Sequence, residues 1–164
     1  MTNLGDGQRA PEFALKALDG KEHSLESLRK RGPVVVAFFK ISCPVCQFTF
    51  PFLERLHEQF AGDGTTVVGV SQDNPRDTQR FNQEYGVKFL TLIDEHPYPA
   101  SSAYGLTSVP TIFLIEPNGL IKVSCMGFSK GDLEFIATEL AGQKDIQAAP
   151  LFRAHEIVPA HKPG

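Results

Sequence analysis

VVVAFFKISCPVCQFTFPFLERL, residues Val34–Leu56, runs from an unbroken apolar stretch through two closely spaced cysteines into a long amphipathic segment. The β-branched and aromatic run Val34–Phe39 lacks alternation, which predicts a strand buried on both faces. From Pro44 to about Phe60, apolar residues at Val45, Phe48, Phe52, Leu53, Leu56 and Phe60 recur at helical steps. That spacing predicts a helix with one buried stripe, in which Pro51 removes a backbone donor and introduces a kink. Cys43 then falls at the carboxyl end of a buried strand, the edge where open α/β sheets place their chemistry. Pro44 takes the first helical position, where its missing N–H costs nothing. Cys43 becomes the N-cap, its sulfur placed to accept from Val45 and Cys46 N–H groups, and these donors with the helix dipole favour thiolate. Cys46 lies one helical turn on, within reach of a disulfide and more buried.

The flanking segments extend the alternation of strands and helices. Phe13 and Leu15 alternate before an Asp19-Gly20 turn, which predicts a hairpin, and Ser24 caps a short helix in SLESLRKR. TTVVGV (Thr65–Val70) reads as a second buried strand, PRDTQRFNQEYG as a helix started by Pro75 and stopped by Gly86, and FLTLI and PASSAYGL as a short strand and a short helix. TIFLIEPNGLIKVSC is two strands around Pro117-Asn118-Gly119, and SKGDLEFIATELAG is a last helix. Together they imply an α/β fold, a central mixed β-sheet flanked by helices with an N-terminal β-hairpin extension. Residues 1–142 form the domain and 143–164 a C-terminal extension. With Pro150, Pro159 and Pro163 the extension reads foremost as flexible, although the apolar residues of PLFRAHEIV leave docking onto the body as the alternative.

Composition narrows the function classes. The chain has 164 residues, 41% hydrophobic and 21% charged, with a net charge of −3. This is the profile of one globular domain, with no electrostatic reason to expect nucleic acid as a partner. The run VVVAFF is far too short for a transmembrane segment, and MTNLGDGQRAPEF has no signal-peptide pattern, so a cytoplasmic location is expected, with an exported protein lacking its leader as the alternative. Three cysteines are too few for a disulfide scaffold, and a close pair in such a chain points to catalysis or metal. A structural zinc site usually draws its ligands from two such pairs. With one pair present, zinc and an inert core pair stand as the rivals to redox chemistry.

With RAPEFALKALDG, VVVAFFKISCPVCQFTFP, VVGVSQD and YGLTSVPTIFLIEPNG in view, the chain from Gly7 to Gly142 resembles the thioredoxin-like redoxins of the AhpC/TSA superfamily, and within them the TlpA-like thiol–disulfide oxidoreductases. The resemblance implies a thioredoxin-like fold and a Cys43–Cys46 dithiol/disulfide, with no cofactor and no metal. It also implies a cis-proline facing the cysteines, matched by Val109-Pro110-Thr111, so that Pro44, Val109 and Pro110 line the substrate face. Partners would be a protein or small-molecule disulfide or dithiol, and a second redox protein that recycles the pair.

Departures from the family pattern are equally specific. Ala37 and Thr49 stand where relatives carry acids, Ser42 stands where Trp is usual, and no proton acceptor for Cys46 is evident. Lys40 is a cation close enough in sequence to stabilise a Cys43 thiolate, or simply a solvated strand-end lysine. The alternative enzyme class is a peroxiredoxin-like thiol peroxidase. That family's Pro and Thr/Ser positions before its reactive cysteine are Val36 and Lys40 relative to Cys43, and Phe39 and Cys43 relative to Cys46. Neither set fits. A non-enzymatic redox-sensing module is the third reading. Cys125 alternates with Ile121 and Val123 on one strand face and is expected to be a core thiol.

Overall fold

The computed structural model describes residues 4–143 and 149–164. Its strands are β1 (Ala14–Ala17), β2 (Glu22–Ser24), β3 (Val34–Phe39), β4 (Thr66–Ser71), β5 (Leu90–Ile93), β6 (Thr111–Ile115), β7 (Ile121–Met126), β8 (Phe128–Ser129) and β9 (His161–Lys162). Its helices are α1 (Leu25–Arg29), α2 (Pro44–Phe60), α3 (Pro75–Tyr85), α4 (Pro99–Ala103) and α5 (Lys130–Gln143). Seven strands form one mixed sheet in the order β2-β1-β5-β4-β3-β6-β7. Strand β3 pairs in parallel with β4 and antiparallel with β6, and the β1–β2 hairpin joins the sheet through β5.

All six residues of β3 are buried, because both sheet faces are covered. Val35, Ala37 and Phe39 point toward α2, α3 and α5, while Val34, Val36 and Phe38 face a second cluster containing Leu25, Leu28, Ala100 and Tyr104. The two-residue side-chain period of a strand thus builds two cores from one run.

The α2 helix runs unbroken through Pro51, but its buried face is broader than the expected stripe. Cys46, Thr49, Phe50 and Glu54 join Phe52, Leu53, Leu56 and Phe60 inside, while Val45 and Phe48 are half-buried. Glu54 is an acid in that face. Its Oε1 accepts from the Lys88 and Phe89 amides at 2.8 and 3.2 Å, tying α2 to the start of β5.

The C-terminal extension docks, which corrects the flexible reading for residues 149–164. The expectation for residues 144–148 lies outside the described residues. Leu151 is buried, and Phe152 packs 4.8 Å from Phe52 and 6.1 Å from Phe128, ring centre to ring centre. Arg55 donates to both Glu156 carboxylate oxygens at 2.8 and 2.7 Å and to the Leu151 carbonyl at 3.0 Å. Strand β9 then pairs antiparallel with β8. Apolar anchors and a bidentate ion pair outweigh the prolines here.

The Arg55 guanidinium and the Arg153 amide hold the Glu156 carboxyl at about 2, below its ordinary 4.5. A depressed carboxylate stabilises the folded form above its ordinary value, and that contribution fades as pH falls through the folded value. Glu156→Gln should therefore lower the thermal midpoint modestly at neutral pH. The gap from the parent should close between about pH 4.5 and about pH 2. Parallel melts across that range check this, and a gap that persists unchanged at the acid end would remove the ion pair as its cause.

Candidate active site

Topology brings three chain segments to one edge of the sheet. Parallel pairing puts the carboxyl ends of β3 and β4 side by side, with Phe39 opposite Ser71. Antiparallel pairing puts the start of β6 beside them, with Thr111 opposite Phe38. The turn leading to Cys43, the β4–α3 loop and the Val109-Pro110 loop therefore converge.

Cys43 is the N-cap of α2, extended at φ −84° and ψ 115°, with Pro44 in the first turn. Its Sγ accepts from the Cys46 amide at 3.2 Å and donates to the Val109 carbonyl at 3.5 Å. Val109-Pro110 is cis, and so is His96-Pro97, which the sequence did not suggest. Pro110 is buried, Val109 half-buried and Pro44 exposed. Val109 meets Cys43 through its carbonyl, and Pro44 and Pro110 are chain neighbours of Cys43 and Val109.

Cys43 is partly accessible and Cys46 is buried, and both are unbridged. Burial, then the hydrogen bond with Cys43, pushes the Cys46 thiol well above the ordinary range, with the charges of Cys43 and Asp73 adding to it. The backbone of Lys40 acts in the opposite direction on the same thiol. The Lys40 side chain is exposed and lines a shallow groove with Gln72, Thr107 and Val109.

Ala37 and Thr49 are both fully buried, and Thr49 Oγ1 donates to the Val45 carbonyl at 2.6 Å. The acid that does reach this edge is Asp73, to which the sequence reading gave no role. Its Oδ2 accepts from the Ile41 amide at 2.8 Å, while Gln47 Nε2 donates to the Ile41 carbonyl at 2.9 Å. The turn before Cys43 is thus clamped from both sides. The signal was present in VVGVSQD, because a residue just past β4 must come out beside the end of β3.

Cys125 lies outside this constellation. It is buried on the α5 side of β7, its Sγ donates to the Gly127 carbonyl at 3.6 Å, and burial with Asp132 nearby pushes it up to about 12. Among the described residues no group of three or more His, Cys, Asp or Glu side chains is placed to hold a metal ion. No helix among them is long and apolar enough to cross a membrane.

Residues 7–124 match the model of the AhpC/TSA family. Over 135 residues the chain is 30% identical to the thiol-disulfide oxidoreductase ResA of Geobacillus thermodenitrificans, covering 81% of this chain and 76% of that one. It is also 30% identical over 133 residues to bcp of Helicobacter pylori, a protein named for the peroxiredoxins, covering 74% of this chain and 88% of that one. Among solved structures, the thioredoxin domain of a thiol-disulfide oxidoreductase from Bacteroides vulgatus superposes with a TM-score of 0.74 at 24% identity, covering 88% of this chain and 99% of that one. That likeness carries the fold. A cysteine pair at the first turn of α2, a cis-proline across from it and the family match converge on one conclusion: the chain belongs to the AhpC/TSA family and is a thioredoxin-like oxidoreductase of the TlpA/ResA kind.

Proposed function

We propose that the protein exchanges disulfides through Cys43 as nucleophile and Cys46 as resolving thiol, on substrates seated against Pro44, Val109 and Pro110. The observation that carries this is the shared geometry of Cys43. One sulfur is the helix cap, bonds to the Val109 carbonyl and is the more accessible of the pair. Cys43 thiolate attacks a substrate sulfur, breaking the substrate disulfide, expelling one substrate thiolate and leaving a mixed disulfide. Cys46 then loses its proton and attacks Cys43, which releases the second substrate thiolate and closes the Cys43–Cys46 bridge. Two electrons pass from the protein to the substrate, and a further redox protein must return them. The reverse sequence oxidises a dithiol. Direction follows from the protein's reduction potential set against that of the compartment in which it works.

Alkylation tests the order of the thiols. Iodoacetamide near neutral pH should label Cys43 first, with Cys46 and Cys125 protected by burial. Labelling of Cys46 ahead of Cys43, read by peptide mass, would reverse the roles. In the same assay Lys40→Met should slow Cys43 labelling by less than about fivefold, since an exposed charge contributes under ~1 kcal/mol. The gap should shrink with added salt, and no gap at low salt returns Lys40 to the solvated surface.

The peroxidase reading is the weaker one, because neither cysteine has the peroxiredoxin spacing. Hydrogen peroxide should oxidise Cys43 at the rate of an unassisted thiolate. Turnover matching a dedicated peroxidase in a coupled assay would displace the oxidoreductase reading.

A further inference from the structure

The docked C-terminal strand ends at the site. A Cβ built on Gly164 would overlap the Val109 carbonyl oxygen and lie 3.3 Å from the Pro110 nitrogen. That carbonyl is the one to which Cys43 Sγ donates at 3.5 Å. Gly127, at φ +73°, lets the same strand approach closely. A Cβ there would overlap the Lys162 carbonyl and lie 3.0 Å from the Gly164 nitrogen. The strand is held by the Lys130 amide donating to the Ala160 carbonyl at 2.9 Å and by pairing of Phe128 with Lys162 and Ser129 with His161. Lys162 Nζ sits 4.8 Å over the Phe48 ring.

We infer that residues 161–164 occupy the place of an extended substrate strand, so that a peptide disulfide must displace them while a small disulfide need not. The inference deepens the proposed function by naming its substrate surface, and it rests on that reading. Without the strand, the β8 edge, the Phe48 ring and the Val109 carbonyl form one continuous face. Backbone groups on it would pair with an extended peptide and Phe48 would take an apolar side chain. Cys43, bordered by the exposed Ser42 and Pro44, remains open to a compact disulfide with the strand in place.

The covering strand is small and lies on the surface, held by a short ladder, one cation over a ring and close packing against Gly127 and Val109. Displacement is therefore within reach of a substrate's own binding energy. When a competent state is populated in one molecule in ten, apparent affinity falls by about tenfold, and removing the cover restores it.

Two full-length measurements and one shortened chain test this. Gly164→Leu, whose side chain cannot sit against the Val109 carbonyl, and a chain lacking residues 160–164 should both raise kcat/KM for insulin disulfide reduction. Their rate with 5,5′-dithiobis(2-nitrobenzoate) should match the parent's. An insulin rate that is unchanged or lower, with the small disulfide unaffected, would make the strand a fixed wall and overturn the inference. Reaction with neither disulfide in the parent would sink the thiol assignment, and the strand's role with it.

The second measurement needs no loosened variant. In the otherwise intact Cys46→Ser protein, Cys43 displaces thionitrobenzoate from a linear peptide activated at its one cysteine, forming a stable peptide–Cys43 disulfide. Hydrogen exchange at the Lys130 amide, which donates to Ala160, should accelerate in that adduct relative to an adduct with mercaptoethanol. Equal or slower exchange would show the strand in place beside the peptide and overturn the displacement.

Discussion

Cys43→Ser should abolish disulfide reduction, and Cys46→Ser should leave the protein stalled as a mixed disulfide with its substrate. The asymmetry follows from position. Cys43 is the helix cap and partly accessible, so the first attack on a substrate falls to it. A serine hydroxyl at that position is a far weaker nucleophile, and the loss should be roughly a thousandfold or more. Cys46 is buried and its thiol is held protonated, so it is a poor first attacker. Its task is to strike Cys43 from one helical turn away. Without it the first step proceeds and the second does not. Insulin turnover with dithiothreitol as reductant, read alongside non-reducing gels, checks both halves. Full turnover by Cys43→Ser, or trapped adducts in Cys43→Ser rather than Cys46→Ser, would exchange the two assignments.

Phe50→Ala should destabilise the fold by about 3–5 kcal/mol, the range for emptying a buried aromatic site. Phe50 is fully buried one turn beyond Cys46, with ring centres 4.2 Å from Phe39, 5.5 Å from Phe81 and 5.6 Å from Phe89. Those rings join α2, β3, α3 and the start of β5, so the helix bearing the cysteines is seated on them. Gly69 gives the cluster little room to collapse, since a Cβ there would already lie 3.2 Å from Phe39 and 3.2 Å from Phe89. Urea titrations of the two proteins measure the change through the midpoint. A loss under about 1 kcal/mol would mean that the cluster closes over the gap and that α2 is seated by other contacts.

Taken together the two predictions separate chemistry from support. Replacing Cys43 should stop the reaction with the melt nearly unmoved. Replacing Phe50 should move the melt strongly, and the reaction should follow only as far as the helix start is loosened.

The sequence by itself determined the main helices and the strands of the central sheet, though not β8 and β9, and it singled out the cysteine pair. Periodicity is a local property: the unbroken run Val34–Phe39 marks a strand covered on both faces, and Cys43-Pro44 at its end marks a helix cap, whatever lies elsewhere in the chain. The alternation of Ile121, Val123 and Cys125 likewise placed Cys125 inside. Tertiary structure decided what depends on residues distant in sequence. Glu54 is buried because the Lys88 and Phe89 amides, far along the chain, meet its carboxylate, and no period-based reading predicts an acid in a core stripe. Asp73 reaches the active edge because parallel pairing sets the end of β4 beside the end of β3. The extension carries the prolines of a loose tail, yet it docks because Arg55 on α2 finds both oxygens of Glu156 and Phe152 finds Phe52 and Phe128. Arg55 lies 101 residues before Glu156 and Phe52 is comparably far from Phe152, and only the folded sheet and helices, by fixing their distance, make these contacts worth their ordering entropy.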